Sequence, residues 1–260
     1  MTAPVRMGFF TDTSVCIGCK ACEVACKEWN DVPEDGLDLL GLSYDNTGAL
    51  GADTWRHVAF VESDRGPADT GVRWLMSSDV CKHCTHAACL DVCPTGALFR
   101  TEFETVVVQP DVCNGCGYCV PACPFGVLDQ RKGDGRVWKC TLCYDRLRSG
   151  MVPACAKACP TESIQFGPLD ELRTRAAGRS DLLKEAGVPG VRLYGADESD
   201  GVGGFGAFFL LLDRPEVYGL PPDPVVPTRD LPAMWRSAGA AALALVGAVA
   251  AAFLGGGRHR

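Results

Sequence analysis

Cys113-Asn114-Gly115-Cys116-Gly117-Tyr118-Cys119-Val120-Pro121-Ala122-Cys123-Pro124 sets three thiols at three-residue intervals, a fourth four residues on, and a proline behind it. C-x2-C-x2-C-x3-C-P is iron–sulfur ligand spacing: three close thiolates wrap one cluster and the fourth reaches to a second. Such a wrap needs a sharp turn and close backbone approach. Gly115 and Gly117 permit both, having no Cβ and tolerating positive φ. Backbone N–H groups in the curl can point at cluster sulfurs and tune the potential. Pro124 ends the short helical turn that carries Cys119 and Cys123.

The pattern recurs. All 16 cysteines of the 260-residue chain fall into four groups of four: Cys16, Cys19, Cys22, Cys26; Cys81, Cys84, Cys89, Cys93; the run above; and Cys140, Cys143, Cys155, Cys159. A disulfide framework belongs to short secreted chains with scattered cysteines. Zinc ribbons come as separated C-x2-C pairs rather than C-x2-C-x2-C triplets, so a zinc scaffold is the weaker reading. Sixteen thiolates fit four cubane clusters without remainder. Lys20, Lys27, Lys82, Lys139 and Lys157 lie within two residues of cysteines, either as charges tuning a cluster or as solvated surface lysines. His83 and His86 read as donors to a cluster sulfur rather than ligands. Trp29, Trp55, Trp74 and Trp138 read as packing residues, and Asp197 with Glu198 as a solvated loop.

These groups need elements to hold them. Met7 to Thr11 reads as a strand into the first group, and Cys26 rides a helix to Trp29. Trp55–Ser63 and Val72–Ser77 alternate as a hairpin about Asp64-Arg65-Gly66-Pro67. Strands are expected near Leu98, at Val106–Gln109, Phe125–Asp129 and Ile164–Phe166, with helical turns at Tyr144–Ser149 and around Cys155 and Cys159. Pro168–Gly187 has a helical pattern offering Leu169, Leu172, Leu182 and Leu183 to one face, and Gly206–Leu212 is a further strand candidate. The expected fold class is α+β. Two interleaved ferredoxin-like two-cluster units carry insertions, and one C-terminal transmembrane helix follows. The first unit comprises residues 1–30 and 137–167 and the second 79–136, with a hairpin insertion at 31–78. A cover at 168–214, a proline-rich extended tether at 215–235 and the membrane helix at 236–257 complete the chain.

Net charge is −7 and pI is about 5.1 with no long basic run, which argues against nucleic-acid binding. Met1–Phe10 has neither an apolar leader core nor twin arginines, so no export signal is expected there. Ala238–Gly257 is twenty residues without a charge, long enough for a bilayer core. Trp235 and Arg236 before it, and Arg258, His259 and Arg260 after it, are placed like interfacial anchors. Gly239, Ala240, Ala244, Gly247 and Ala248 suit close packing against other membrane helices.

The segments CIGCKACEVACKEWND, CKHCTHAACLDVCPTGAL, CNGCGYCVPACPFGV, KCTLCYDR and PACAKACPTESIQFG, followed by LLDRPEVYGLPPDPVVPT, carry a resemblance. The chain resembles the four-cluster iron–sulfur subunits of molybdopterin or tungstopterin oxidoreductases, most closely the beta subunit of membrane-bound formate dehydrogenase. The resemblance implies four 4Fe–4S clusters. Cys16, Cys19 and Cys22 with Cys159 would hold one, and Cys140, Cys143 and Cys155 with Cys26 the second. Cys81, Cys84 and Cys89 with Cys123 would hold the third, and Cys113, Cys116 and Cys119 with Cys93 the fourth. It also implies a pterin-containing catalytic alpha subunit that oxidises formate and an integral membrane gamma subunit of cytochrome b or quinone-reactive type. The terminal helix would then anchor the chain, by a single pass, in the inner cell membrane. The cluster domain would lie outside the cytoplasm and the C-terminus within it. No residue reads as a catalytic base or nucleophile, so the expected role is electron relay without chemistry on formate. The alternatives are the same relay in a polysulfide, thiosulfate, sulfoxide or nitrate reductase, a free ferredoxin-like carrier, and the zinc scaffold.

Overall fold

The computed structural model describes residues 5–36, 47–64 and 72–255. The chain forms two compact units, Met1–Val226 and Pro227–Arg260. The first begins with β1 (Met7–Asp12), a 3-10 turn (Thr13–Val15), α1 (Ala21–Asn30) and the hairpin β2 (Arg56–Asp64) and β3 (Val72–Val80). Short pieces follow: α2 (Ala88–Asp91), β4 (Leu98–Arg100), β5 (Val106–Val108), α3 (Cys119–Ala122), β6 (Asp129–Gln130), β7 (Val137–Trp138), α4 (Tyr144–Arg148) and α5 (Ala154–Lys157). The unit closes with β8 (Ile164–Pro168), α6 (Leu169–Glu185), β9 (Arg192–Tyr194), β10 (Ala207–Leu211) and a 3-10 turn at Pro215–Tyr218. The second unit carries α7 (Leu231–Gly255).

One sheet, ordered β8-β1-β10-β9, ties the two ends of the first unit together. β1 runs parallel to β10, with Phe10 opposite Phe208, and antiparallel to β8. Successive strand residues face opposite ways, so adjacent phenylalanines serve two cores. Phe9 enters the core that holds most of the buried cysteines. Phe10 enters a second core with Leu169, Leu172 and Phe208, and stacks on Phe208 at 5.3 Å. The three hairpins β2-β3, β4-β5 and β6-β7 sit between cysteine groups.

β1 and β10 approach so closely that Gly8 has no room for a side chain. A Cβ there would fall onto the Gly206 carbonyl and Leu169 Cδ1. Gly8→Val therefore destabilises the unit by about 1–3 kcal/mol through overpacking. Gly178, inside α6, has no atom within 4 Å of a built Cβ. Gly178→Ala instead stabilises by about 0.4–1 kcal/mol, by restricting the unfolded chain. Scanning fluorimetry of the detergent-solubilised chain should move in opposite directions for the two variants.

Several expectations need correction. Phe125–Asp129 is not a strand; only Asp129–Gln130 pairs, with β7. The Phe125 and Val127 amides face the Cys123 sulfur, and consecutive Val127 and Leu128 are both buried. That arrangement suits a curl around a cavity and not a ladder. The helix at 168–187 is present, but its buried face is Leu169, Leu172, Ala176 and Ser180, and Leu182 is 61% exposed. Strand β9 has only three residues and no periodic signal. The stretch at 215–235 is not one extended tether. Pro215–Tyr218 is a 3-10 turn whose Pro215 and Tyr218 are buried, and the Tyr218 hydroxyl accepts the Leu212 N–H at 3.2 Å. The Tyr194 hydroxyl donates to the Pro221 carbonyl at 2.6 Å, and Leu220 and Val226 are buried. The terminal helix starts at Leu231, before the expected 236, because Pro232 in a first turn lacks only an N–H that has no helical partner there. The expected turn at Asp64-Arg65-Gly66-Pro67 beyond Asp64, residues 37–46 of the insertion, and Arg258, His259 and Arg260 lie outside the described residues.

In α7, Leu231–Leu254 contains an 18-residue stretch of mean hydropathy 2.1 and is, by length and composition, long and apolar enough to cross a membrane. Twenty-four residues rise about 36 Å, against about 30 Å of hydrocarbon.

Candidate iron–sulfur cluster sites

Each group opens on the same curl. The residue just before the second cysteine has positive φ in all four: Gly18 (66°), His83 (45°), Gly115 (71°) and Leu142 (57°). A Cβ at Gly115 would lie 2.5 Å from the Gly135 carbonyl oxygen, so close backbone approach is a second requirement there. His83 and Leu142 adopt the left-handed region at an expense of roughly 1–2 kcal/mol each. Both are buried, so packing overrides the local preference. Leu142 N–H then donates to Cys140 Sγ at 3.3 Å, and Val137 N–H to Cys113 Sγ at 3.5 Å.

The fold brings cysteines from distant groups together. Cys16, Cys19, Cys22 and Cys159 line one cavity with about 290 Å³ of empty space. Cys81, Cys84, Cys89 and Cys123 line another of about 270 Å³. Cys26 lies in the field of Cys140, Cys155 and Cys143, and Cys119 in that of Cys93, Cys113 and Cys116. Neighbouring sets also feel one another: Cys22 acts on Cys155, Cys81 on Cys140, and Cys119 on Cys89. The four sets thus follow one another in a row. Cys19 of the first and Cys116 of the last are exposed, while Cys26, Cys140, Cys143 and Cys155 are all buried.

Free thiols are poorly served by this packing. Burial first, then repulsion from Cys81 and Cys155, pushes the Cys140 thiol up to about 12. Burial likewise pushes Cys155 up to about 11, with Cys143 and Cys22 adding to it. Thiolates crowded in this way need positive charge among them, and iron supplies it. Among the described residues, no three His, Cys, Asp or Glu side chains converge as they would around a single ion. Eight of the sulfurs, in the two sets described above, instead line cavities, a geometry that suits a polynuclear cluster. The donor set and its spacing therefore fit 4Fe–4S clusters.

The expected charged residues divide. Lys82 and Lys139 are each 1% exposed, whereas Lys157 is exposed and Lys20 and Lys27 are partly so. Lys82 Nζ is held by Asp79 and the Val80 carbonyl, and Lys139 Nζ by the Val106 and Cys140 carbonyls. His83 accepts the Val106 N–H on Nδ1 at 3.2 Å, so its proton sits on Nε2, which has no partner. Burial, reinforced by Lys139 and Arg6, holds His83 neutral. His83 lines the cavity of Cys81 and Cys84; His86 does not. Trp55 stacks on Trp138 at 6.3 Å, and Trp29 carries the Arg146 guanidinium at 4.1 Å. Glu198 pairs with Arg173.

Other residues around the sulfurs emerge only in three dimensions. Ser78 Oγ lies 3.2 Å from Cys22 Sγ, and Arg56 donates to Ser78. Thr95 and Thr161, each two residues after the last cysteine of its group, have hydroxyls 3.7 and 3.8 Å from Cys93 and Cys159. Asn30, one helical turn after Cys26, reaches the Cys26 and Cys143 sulfurs at 3.8 and 3.7 Å. The repeated Cys-Pro-Thr was a legible signal for the threonines; nothing local marks Arg56.

Two family profiles, each described as a 4Fe-4S dicluster domain, match residues 15–97 and 72–169. The chain is 41% identical over 231 residues to the nitrate-inducible formate dehydrogenase iron-sulfur subunit of Escherichia coli, covering 87% of this chain and 76% of that one. It is 41% identical over 227 residues to the formate dehydrogenase iron-sulfur subunit of Haemophilus influenzae, covering 85% and 70%. The B subunit of the anaerobic dimethyl sulfoxide reductase of Escherichia coli is 39% identical over 185 residues, covering 71% and 82%. With cavities lined by cysteines, sixteen cysteines in four groups and this kinship, the chain belongs to the family of formate dehydrogenase iron–sulfur subunits, electron-transfer proteins that carry 4Fe–4S clusters.

Proposed function

We propose that this chain relays electrons through four 4Fe–4S clusters, from a pterin-containing formate dehydrogenase catalytic subunit to a membrane subunit of cytochrome b or quinone-reactive type. The first set is Cys16, Cys19, Cys22 and Cys159, and the second Cys26, Cys140, Cys143 and Cys155. The third is Cys81, Cys84, Cys89 and Cys123, and the fourth Cys93, Cys113, Cys116 and Cys119. Each cluster, when bound, takes up and gives back one electron. The row of sulfur sets from exposed Cys19 to exposed Cys116 carries this reading. The protein's part is to keep water from the middle of the row and to set its charge. Asn30 and the Leu142 and Val137 amides are donors that serve the sulfurs, and the unpartnered His83 Nε2–H is free to serve a bound cluster. Sets one and two form one ferredoxin-like unit and sets three and four the other, interleaved through Cys159, Cys26, Cys123 and Cys93. α7 anchors the chain by a single pass, with the cluster unit outside the cytoplasm and the C-terminus inside.

The test is to purify the complex anaerobically through a tag on this chain. A large pterin protein should accompany it, and formate should reduce the clusters, seen as bleaching of visible absorption and growth of paramagnetic signals. Clusters that stay oxidised with formate but reduce with dithionite would assign the chain to another pterin oxidoreductase. The similarity to a dimethyl sulfoxide reductase subunit favours that second reading, in which electrons run the opposite way. A colourless, iron-free protein would eliminate both.

A further inference from the structure

Arg56 opens β2 and turns wholly inward, with 2% of its surface exposed. Its Nη1 donates to Ser78 Oγ at 3.0 Å and to the Ser78 carbonyl at 3.3 Å. The guanidinium carbon stands 5.0 Å from the Phe9 ring centroid. Nε and Nη2 have no hydrogen-bond partner. The two buried lysines differ, because each ammonium is taken up by backbone carbonyls, and Lys82 also by Asp79.

A guanidinium cannot shed its proton at any working pH. Burying it without an anion is strongly unfavourable. Something negative must therefore face its free N–H groups. The sulfurs near enough to act on Arg56 are those of Cys155, Cys22, Cys140 and Cys26. Cys22 belongs to the first proposed set, and Cys26, Cys140 and Cys155 to the second. Ser78, which fixes Nη1, also touches Cys22. The planar fork presents donors along more than one edge, so one side chain can serve two neighbours, which a point-like ammonium does less well.

We infer that Arg56 is a shared counter-cation set between the first two cluster sites, donating its Nε and Nη2 protons toward sulfur and holding both reduction potentials up. The inference rests on the ligand sets proposed above. Each cluster gains one negative charge on reduction, so a fixed cation beside it stabilises the reduced form. A cation between two of them also lessens the repulsion when both are reduced. Arg56 takes no electron and touches no substrate; it positions charge.

The experiment is a dye-mediated redox titration of the full chain, purified anaerobically with its clusters, followed by low-temperature EPR and iron analysis. Four clusters' worth of iron and signals from all four confirm that the ligand reading stands in each variant, independently of where the potentials fall. In Arg56→Gln, two of the four signals should move to lower potential. At a fixed ambient potential each loses at least tenfold in its reduced-to-oxidised ratio, which is about 59 mV for one electron. The other two stay in place. Arg56→Lys, which keeps the charge and loses the fork, should move the same two by less. Unmoved potentials at full iron content overturn the inference, and so does a shift confined to one signal. Should Arg56→Gln fail to assemble, Ser78→Ala leaves every ligand and the charge intact and removes the shorter of the two hydrogen bonds that fix the guanidinium, leaving only the one to the backbone carbonyl. Ser78 hydrogen-bonds to Cys22 alone among the sulfurs, so the second cluster can respond only through Arg56. Both signals should move, and a response of the first alone refutes the shared role.

Discussion

Cys143→Ser removes up to about one quarter of the iron and lowers electron transfer from the catalytic partner to the membrane by at least about 100-fold. The reasoning starts from position. In the proposed ligand sets Cys143 stands with Cys26, Cys140 and Cys155, and this set adjoins the first through Cys22 and the third through Cys81. A break there interrupts the row at an interior point, with no exposed sulfur nearby to provide a way around it. Cys143 also sits in the left-handed region at φ 49° and precedes α4, so its sulfur is aimed by the backbone curl. The Ala154 N–H and Asn30 amide serve that sulfur. A serine oxygen is shorter and harder, and these donors are spaced for sulfur. Groups that merely orient a ligand are worth about 10–100-fold, so loss of a ligand itself exceeds that range. Iron analysis and membrane-linked dye reduction measure the two effects. Full iron together with undiminished transfer would show that the ligand assignment is wrong.

Leu243→Arg with Val246→Arg releases the chain into the soluble fraction while its iron content is retained. The two positions lie one turn apart near the middle of Leu231–Leu254, and both side chains are exposed on α7. Arginine at the centre of a spanning helix is unfavourable by about 2.5–3.5 kcal/mol, so the pair disfavours insertion by about 5–7 kcal/mol. That is a factor of more than about 10³ in the partition. The clusters should survive because the sixteen cysteines lie in the first unit, which has its own two cores. Ultracentrifugation followed by iron analysis of both fractions reads the result. Protease added to spheroplasts of the unaltered strain should cut the cluster unit from the outside; protection would reverse the proposed orientation. A double variant that stays with the membrane and resists carbonate extraction would assign α7 another role.

What the sequence determined is what depends on near neighbours along the chain. Three thiols at C-x2-C-x2-C spacing can curl around only a small set of objects, so the cluster chemistry was readable without a fold. The hairpin at 56–80 and the terminal helix were readable for the same reason, since alternation and an uncharged run are local signals. Gly115 announced its turn; His83 and Leu142 make the same turn with side chains that disfavour it, and only their packing reveals this. The parallel pairing of β1 with β10 joins residues about two hundred apart, and nothing in either strand specifies its partner. The burial of Lys82 and Lys139 and the exposure of Lys157 could not be told apart from their equal closeness to cysteines. Arg56 shows the limit most clearly. As the first residue of an alternating strand beside Trp55 it looks like any surface arginine, and its meaning comes from sulfurs delivered by α1, α5 and the Cys140 loop. Ligand type and spacing are properties of a segment, whereas the field at a point is a sum over everything the fold brings near it.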